Sequence, residues 1–200
     1  MELVTFIFGL GYMFQHFGMF LQIMKMEKLR SSESVSLDTL ILFVFSTISR
    51  IIWTNDTILK ETYFTYLELV VGMFVIFYTI YLVLIKYNFE NSAYDLLNNN
   101  LIPIFLRWYV ILIVATIMSY FFFPGNEGQK YDIQMLVSFT IFTEALNLFP
   151  QIFFLRKKKD SHDISDIYNF LMLISRFFRL IFWLKLYFED NSIEFLIFAD

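Results

Sequence analysis

Six long runs of apolar residues, separated by short polar segments, dominate the pattern of this chain. They cover roughly residues 3–24, 37–53, 63–86, 101–123, 131–155 and 165–188. Because a membrane-spanning helix needs about 20 predominantly apolar residues, each run predicts one transmembrane helix. The final residues, IEFLIFAD, would form only about 12 Å of helix, so they predict a short terminal segment and not a seventh span.

The composition agrees with this pattern and narrows the fold class. Of the 200 residues, 58% are hydrophobic and 27 are Phe, and the mean hydropathy is +0.61. These values are typical of a polytopic membrane protein, so the sequence predicts an all-α fold in a single integral membrane domain over residues 1–200. Cysteine is absent from the sequence, which excludes disulfides and thiolate metal sites.

Basic residues are concentrated in alternate loops. Those after the first, third and fifth spans are Lys25, Lys28, Arg30, Lys86 and Arg156 to Lys159, whereas the opposite loops carry only Lys60 and Lys130. By the positive-inside rule, the loops at 25–36, 87–100 and 156–164 face the cytoplasm, or the matrix in a mitochondrial membrane. Both termini are then expected on the other side.

An internal repeat relates the two halves of the chain. QIMKMEKLRSSESVS (22–36) aligns without gaps on QIFFLRKKKDSHDIS (151–165), and the same offset places Arg50 on Arg179. Copies in the same membrane orientation imply parallel repeats related by an axis along the membrane normal. The expected organisation is repeat 1 over about 3–86, a linker helix over about 101–123 and a truncated repeat 2 over about 131–200.

Charged residues also fall inside the predicted spans. Arg50, Arg176 and Arg179 are expected to have partners, because an arginine at the bilayer centre costs from about 2.5 kcal/mol to far more. Glu68 and Glu144 are the available intramembrane carboxylates. Two interpretations remain open: ion pairs that hold the bundle together, or an anion or carboxylate site in a central cavity.

Other polar residues give weaker signals. His16, the only intramembrane histidine, is either a hydrogen-bonded packing residue or a ligand or proton site. Ser36 and Asp38 are placed to cap the second span. The basic turn is a topology determinant or a contact for anionic lipid such as cardiolipin; its members are Arg156, Lys157, Lys158 and Lys159. Neither a metal, a cofactor nor nucleic acid is predicted as a ligand, and no enzyme motif is found.

The dipeptide Pro150-Gln151, at a span end, is typical of the PQ-loop, SWEET-like superfamily. Together with FTEALNLFPQIF, SRFFRLIFWLKLYFE and YLVLIKYNFENSAYD, it makes the chain resemble the ER lumen protein retaining receptor family, which receives the Lys-Asp-Glu-Leu retrieval signal. The similarity runs from about Gln22 to Glu189. It implies seven helices in two triple-helix bundles, of which the last helix is absent here.

The resemblance also implies roles for individual residues. The family's binding arginines fall on Arg50 and Arg176, and its fifth-span glutamate falls on Glu144. Lys185 stands where the family has a further arginine. These residues are therefore candidates for ligand binding as well as for buried ion pairs.

Three positions depart from the family pattern. Thr5 replaces an arginine that meets the ligand carboxylate, Trp53 replaces an acidic residue, and Ser175 replaces a tyrosine. A receptor for an acidic C-terminal peptide needs several converging cations. These departures, together with the missing helix, favour a changed function.

Three functions follow as hypotheses. The first is a degenerate member of the family that serves as a structural or accessory subunit of a larger membrane assembly; the second is a working receptor for C-terminal retrieval signals; the third is a PQ-loop carrier of small solutes. The membrane is that of the ER and Golgi or the mitochondrial inner membrane. Without a seventh helix, Asn147, Arg176 and Arg179 are expected to face lipid unless another subunit or a lipid headgroup covers them.

Overall fold

The chain folds into helices throughout the part that the computed structural model describes, which comprises residues 2–31, 35–55, 63–87, 103–123, 130–158 and 163–190. No strand occurs in these ranges. The seven α-helices are α1 (Glu2–Leu29), α2 (Leu37–Thr54), α3 (Tyr63–Tyr81), α4 (Trp108–Phe121), α5 (Tyr131–Leu146), α6 (Leu148–Lys158) and α7 (Asp163–Asp190). The all-α prediction is therefore confirmed for the described residues.

Among the described residues, four helical stretches are long and apolar enough to cross a membrane: Phe6–Leu29, Leu37–Thr54, Thr65–Lys86 and Tyr131–Phe154. The chain is thus an integral membrane protein. The span predicted over 101–123 is shorter than expected. It consists of a 3-10 turn, Ile104–Leu106, and the 14-residue helix α4, because Arg107 between them has an extended backbone.

The first helix is longer than its apolar run. It continues to Leu29 and ends where Arg30 adopts a left-handed φ of 50°, a common way to stop a helix. As a result Lys25, expected in the loop, is a buried residue of α1 with 2% of its surface exposed. The positive loop therefore begins later than the sequence pattern predicted.

Proline interrupts the fifth predicted span. Pro150 has no backbone N–H and cannot bond to the carbonyl of Leu146. The helix is broken at Asn147, which separates α5 from α6. At the end of α3, five residues from Leu82 to Lys86 form a π-helical turn.

The core forms where helices of the two halves of the chain pack together. The most extensive contact joins α1 to α7, and the next joins α2 to α5; α4 lies on α5, and α3 lies on α1 and α2. One apolar cluster holds Phe8, Trp53, Ile133, Val137, Ile141 and Phe182 around Tyr12. Residues from α1, α2, α5 and α7 thus meet in one cluster, and Tyr12 is among them.

Candidate functional site

The first buried ion pair joins α2 to α3. Arg50 Nη2 donates to both carboxylate oxygens of Glu68, at 2.6 and 2.5 Å, and His16 Nε2 from α1 contacts the same carboxylate. All three residues are no more than 5% exposed. Three helices are therefore joined through one carboxylate in the membrane interior.

A glycine makes this arrangement possible. Gly72 lies one helical turn after Glu68, and a Cβ at this position would stand 2.5 Å from His16 Cε1 and 2.6 Å from His16 Nε2. A Cβ does not come this close to another side chain unless the neighbour shifts. The missing side chain of Gly72 thus gives the imidazole ring the space from which it reaches Glu68.

A second buried group joins α5 to α7. Arg179 forms an ion pair with Glu144, and Arg176 Nη1 lies 3.8 Å from the same carboxylate. Arg176 Nη2 also donates to Asn147 Oδ1 at 3.1 Å. The break that Pro150 imposes after α5 places this asparagine beside the arginine.

Tyr12 links the two groups. Its ring lies 3.6 Å from Arg50 Cζ and 4.9 Å from Arg179 Cζ, and its hydroxyl donates to Glu144 Oε2 at 3.2 Å. An aromatic face attracts guanidinium groups by cation–π interaction. We call Tyr12, His16, Arg50, Glu68, Glu144, Asn147, Arg176 and Arg179 the central polar cluster.

The expectation that α5 and α7 would expose polar groups to lipid is wrong. Asn147 is fully buried, Arg179 is 2% exposed and Arg176 is 9% exposed. The reason is that α1 packs along α7: a Cβ added to Gly11 would lie 2.9 Å from Arg179 Cγ. The small residue lets α1 approach closely enough to cover the arginine.

The Pro150-Gln151 dipeptide has a structural role. Gln151 Oε1 accepts a hydrogen bond of 2.7 Å from the backbone N–H of Ser36, at the start of α2. The hydroxyl of Ser36 makes no capping hydrogen bond, and Asp38 instead accepts from the backbone N–H of Trp108 at 3.0 Å. The predicted local cap is therefore wrong. Residues distant in sequence bind the backbone N–H of Ser36 and the carboxylate of Asp38 instead.

A comparison with protein-family models identifies the chain. The model described as ER lumen protein retaining receptor matches residues 31–185, which is more than half of the sequence. The chain belongs to this family. The resemblance stated from the sequence is thereby confirmed, and an ER or Golgi membrane fits an integral membrane protein of this kind. A search of curated proteins found no significant match.

The match to the retaining receptor family covers most of the central polar cluster, but not all of it. Arg50, Glu68 and the four members from α5 to α7 lie inside the matched range, whereas Tyr12 and His16 precede it. Sequence reasoning did not select Tyr12. The available signal was its spacing of four residues from His16, which places both side chains on one face of α1.

The remaining predicted site residues either lie outside the central polar cluster or have side chains outside the described part of the structure. Lys185 is partly exposed. Arg156, Lys157 and Lys158 form the end of α6, but their side chains are outside the described part, and Lys159 is outside it entirely. The proposed contact of these cations with lipid therefore stays a prediction.

A separate polar group that the sequence did not indicate joins the ends of α1 and α3. Glu27 accepts hydrogen bonds from Tyr78 at 2.9 Å, Lys86 at 2.6 Å and Tyr87 at 2.6 Å. The hydrogen bond to Glu27 raises the pKa of the Tyr87 hydroxyl above its ordinary value. The π-helical turn brings Lys86 and Tyr87 to the same carboxylate.

Proposed function

We propose that this chain is a receptor of ER and Golgi membranes that binds its ligand through a carboxylate group. The supporting observation is that Arg50, Glu144 and Arg176, to which the family resemblance assigns ligand binding, converge in one buried cluster. Guanidinium groups bind carboxylates through short, charge-assisted hydrogen bonds. The expected ligand class is a peptide with a free C-terminal carboxylate.

Five residues of the cluster have a role in this proposal. Arg50 donates to the ligand carboxylate, and Tyr12 holds the face of the Arg50 guanidinium so that only its edge is offered. Glu144 partly offsets the charges of Arg176 and Arg179 and holds both guanidinium groups in place. Side chains that are already held in place lose little conformational freedom when a ligand binds.

The ligand preference is expected to differ from that of family members with the usual pattern. Trp53 replaces an acidic residue, is 4% exposed, and donates from Nε1 to Thr140 Oγ1 at 3.1 Å. The indole thus puts an apolar side chain where the usual pattern has a charge. A peptide with an apolar residue near its C-terminus is therefore expected to bind better than a strongly acidic or basic one.

Peptide binding by the purified protein in detergent tests the proposal. A peptide with a free C-terminal carboxylate should bind, and the same peptide with a C-terminal amide should not. Arg50→Gln should weaken binding about 10- to 100-fold, as expected for hydrogen bonds to a charged group, whereas Lys28→Gln, on the exposed end of α1, should leave binding unchanged. Equal binding of both peptides, or of neither, would overturn the proposal.

The predicted architecture of six spans in two parallel repeats belongs to this proposal. If α1 corresponds to α5 and α2 to α7, the repeat axis exchanges the α1–α7 contact with the α2–α5 contact. Both are the extensive helix contacts of the molecule. This reciprocal pairing supports a second repeat that begins at about residue 131, with α4 as the linker helix.

A structural role as an accessory subunit is the second candidate. The observation that favours it is the neutralisation of Arg50 by Glu68 within the chain, since an arginine that is already paired can serve helix packing alone. In this case the native protein should migrate with stoichiometric partners in a gentle detergent. A monodisperse protein that binds the carboxylate peptide would exclude the accessory role.

A further inference from the structure

We propose that Glu68 is an internal ligand of Arg50, and that it must move aside before an external carboxylate can bind. The proposal rests on the receptor function stated above and names how that site is controlled. It identifies Glu68, a residue to which the family resemblance assigns no role, as the residue that sets the affinity.

The contact between the two residues is the one that a ligand would need. Arg50 Nη2 lies 2.6 and 2.5 Å from the two oxygens of Glu68, and the ring of Tyr12 covers the guanidinium at 3.6 Å from its centroid. Tyr12 covers one face of the guanidinium, and Nη2, which already donates to both oxygens of Glu68, can serve only one carboxylate at a time. An external carboxylate therefore competes with Glu68.

Glu68 has a second partner that can keep it when it leaves Arg50. His16 Nε2 contacts Glu68 Oε1, and no hydrogen-bond partner is found for His16 Nδ1 in the described part of the chain. A neutral imidazole that donates from Nε2 holds the carboxylate on the α1 side of α3. The carboxylate would then not be stranded without a partner in the membrane interior.

The space for this movement is present beside the pair. A groove of about 240 Å³, open on its outer side, lies between α1 and α3 and is lined by His16 and Glu68 together with the exposed side chains of Met13, Phe17, Leu67 and Val71. About 10–15 Å³ of such volume holds one water molecule, so the groove exceeds what a rotated carboxylate needs. The groove therefore offers the Glu68 carboxylate space to turn away from Arg50 while it stays beside His16.

The expected consequence is a reduced affinity in the wild-type protein. A ligand that binds only when Glu68 has withdrawn binds with its intrinsic affinity reduced by the fraction of molecules in that state. Removal of the Glu68 carboxylate removes this competition. The variant should therefore bind carboxylate ligands more tightly than the natural sequence does.

The first arm of the test is peptide binding. Glu68→Gln should bind the peptide with a free C-terminal carboxylate at least about tenfold more tightly than the wild type, with no gain for the amidated peptide. The control is the double variant Arg50→Gln with Glu68→Gln, which also lacks the internal ion pair but lacks the binding arginine too. It should show no gain.

The second arm does not depend on a peptide. In Glu68→Ala the pocket at Arg50 is vacated, so sodium acetate should occupy it and raise the midpoint of thermal unfolding by about 3 °C or more relative to sodium chloride at equal ionic strength. The wild type and the double variant should show no such difference. A variant that unfolds easily is still informative here, because acetate should recover it.

The outcomes separate this proposal from the receptor function. If the wild type binds the peptide and folded Glu68→Gln binds it no better, the internal-ligand proposal is wrong and the receptor function stands. If acetate stabilises Glu68→Ala but neither protein binds the peptide, the internal ligand stands and the peptide receptor does not. The absence of both effects overturns both proposals.

Discussion

At the scale of single residues, the membrane interior explains why charges are shared in this chain. Glu68 contacts both Arg50 and His16, and Glu144 lies beside two arginines and the hydroxyl of Tyr12. A single charge left in hydrocarbon costs from about 2.5 kcal/mol to far more. Sharing each carboxylate among several donors satisfies most of its oxygen lone pairs and keeps the cluster buried.

The importance of Glu144 can be tested by removing its charge. Glu144→Gln should lower the free energy of unfolding by about 3–5 kcal/mol, because the arginines of α7 lose the carboxylate that balances them. The midpoint of thermal unfolding in detergent is the measurement. Glu27→Gln, in a partly exposed group, is the matched control and should change the midpoint much less. An unchanged midpoint for Glu144→Gln would contradict the assignment.

The space at Gly72 gives a second residue-level prediction. Gly72→Ala places a methyl group 2.5 Å from His16 Cε1, so the ring must leave Glu68 and the overpacking should cost about 1–3 kcal/mol. Gly18→Ala is the control, because its Cβ would lie 3.4 Å from Leu171 Cβ, an ordinary contact. Equal unfolding midpoints for the two variants would mean that His16 needs no such space.

The sequence could predict that the arginines have carboxylate partners, but not which partners. The cost of a lipid-exposed charge requires pairing for Arg50 and Arg179, and Glu68 and Glu144 are the acids available inside the spans. Which acid pairs with which arginine depends on how the helices pack against one another, and local sequence patterns do not show this. For the same reason, the sequence did not distinguish Tyr12 from the other aromatic residues of the first span.

At the scale of helices, long-range contacts replace local capping. The first backbone N–H groups of a helix need acceptors, and the group at Ser36 finds Gln151, 115 positions further along the chain. Asp38, which sequence alone would use at the same helix end, binds the start of α4. Local propensity thus identified where α2 begins but not what holds it there.

This cap predicts the effect of a change at Gln151. Gln151→Leu keeps the apolar bulk but leaves the buried N–H of Ser36 without its acceptor, which should cost about 1–3 kcal/mol. The comparison is Asn55→Ala, which removes two exposed hydrogen bonds, one donated to the carbonyl of Ile51 and one accepted from the hydroxyl of Tyr66, and should cost far less. Thermal unfolding of both variants in the same detergent is the measurement. A smaller loss for Gln151→Leu than for Asn55→Ala would contradict the role of the glutamine.

Helix boundaries show where apolar periodicity stops being informative. The run over 131–155 is continuous in hydrophobicity, but Pro150 removes one backbone hydrogen bond and the helix breaks at Asn147. The run over 101–123 contains Arg107, whose extended backbone delays α4 to Trp108. Hydropathy indicates which segments lie in the membrane. It does not show where a helix breaks, because the breaks depend on backbone hydrogen bonds.

At the scale of the whole molecule, three polar contacts lie at the same end of the bundle. Glu27 joins the ends of α1 and α3, Gln151 joins α6 to the start of α2, and Asp38 joins the starts of α2 and α4. Each is next to a loop that the positive-inside rule assigns to the cytoplasm. The ends of α1 and α3, the starts of α2 and α4, and α6 therefore meet on one side.

This arrangement predicts the orientation in the membrane. The natural chain has no cysteine, so single cysteines report one position each without background. Ser31→Cys, after α1, should react with an impermeant maleimide from the cytoplasmic side, because basic loops are retained there. Asn55→Cys, after α2, and Lys130→Cys, before α5, should react only from the opposite side. The two faces are distinguished in sealed vesicles before and after permeabilisation, and reaction of Ser31→Cys and Asn55→Cys from the same side would mean that α2 does not cross the membrane.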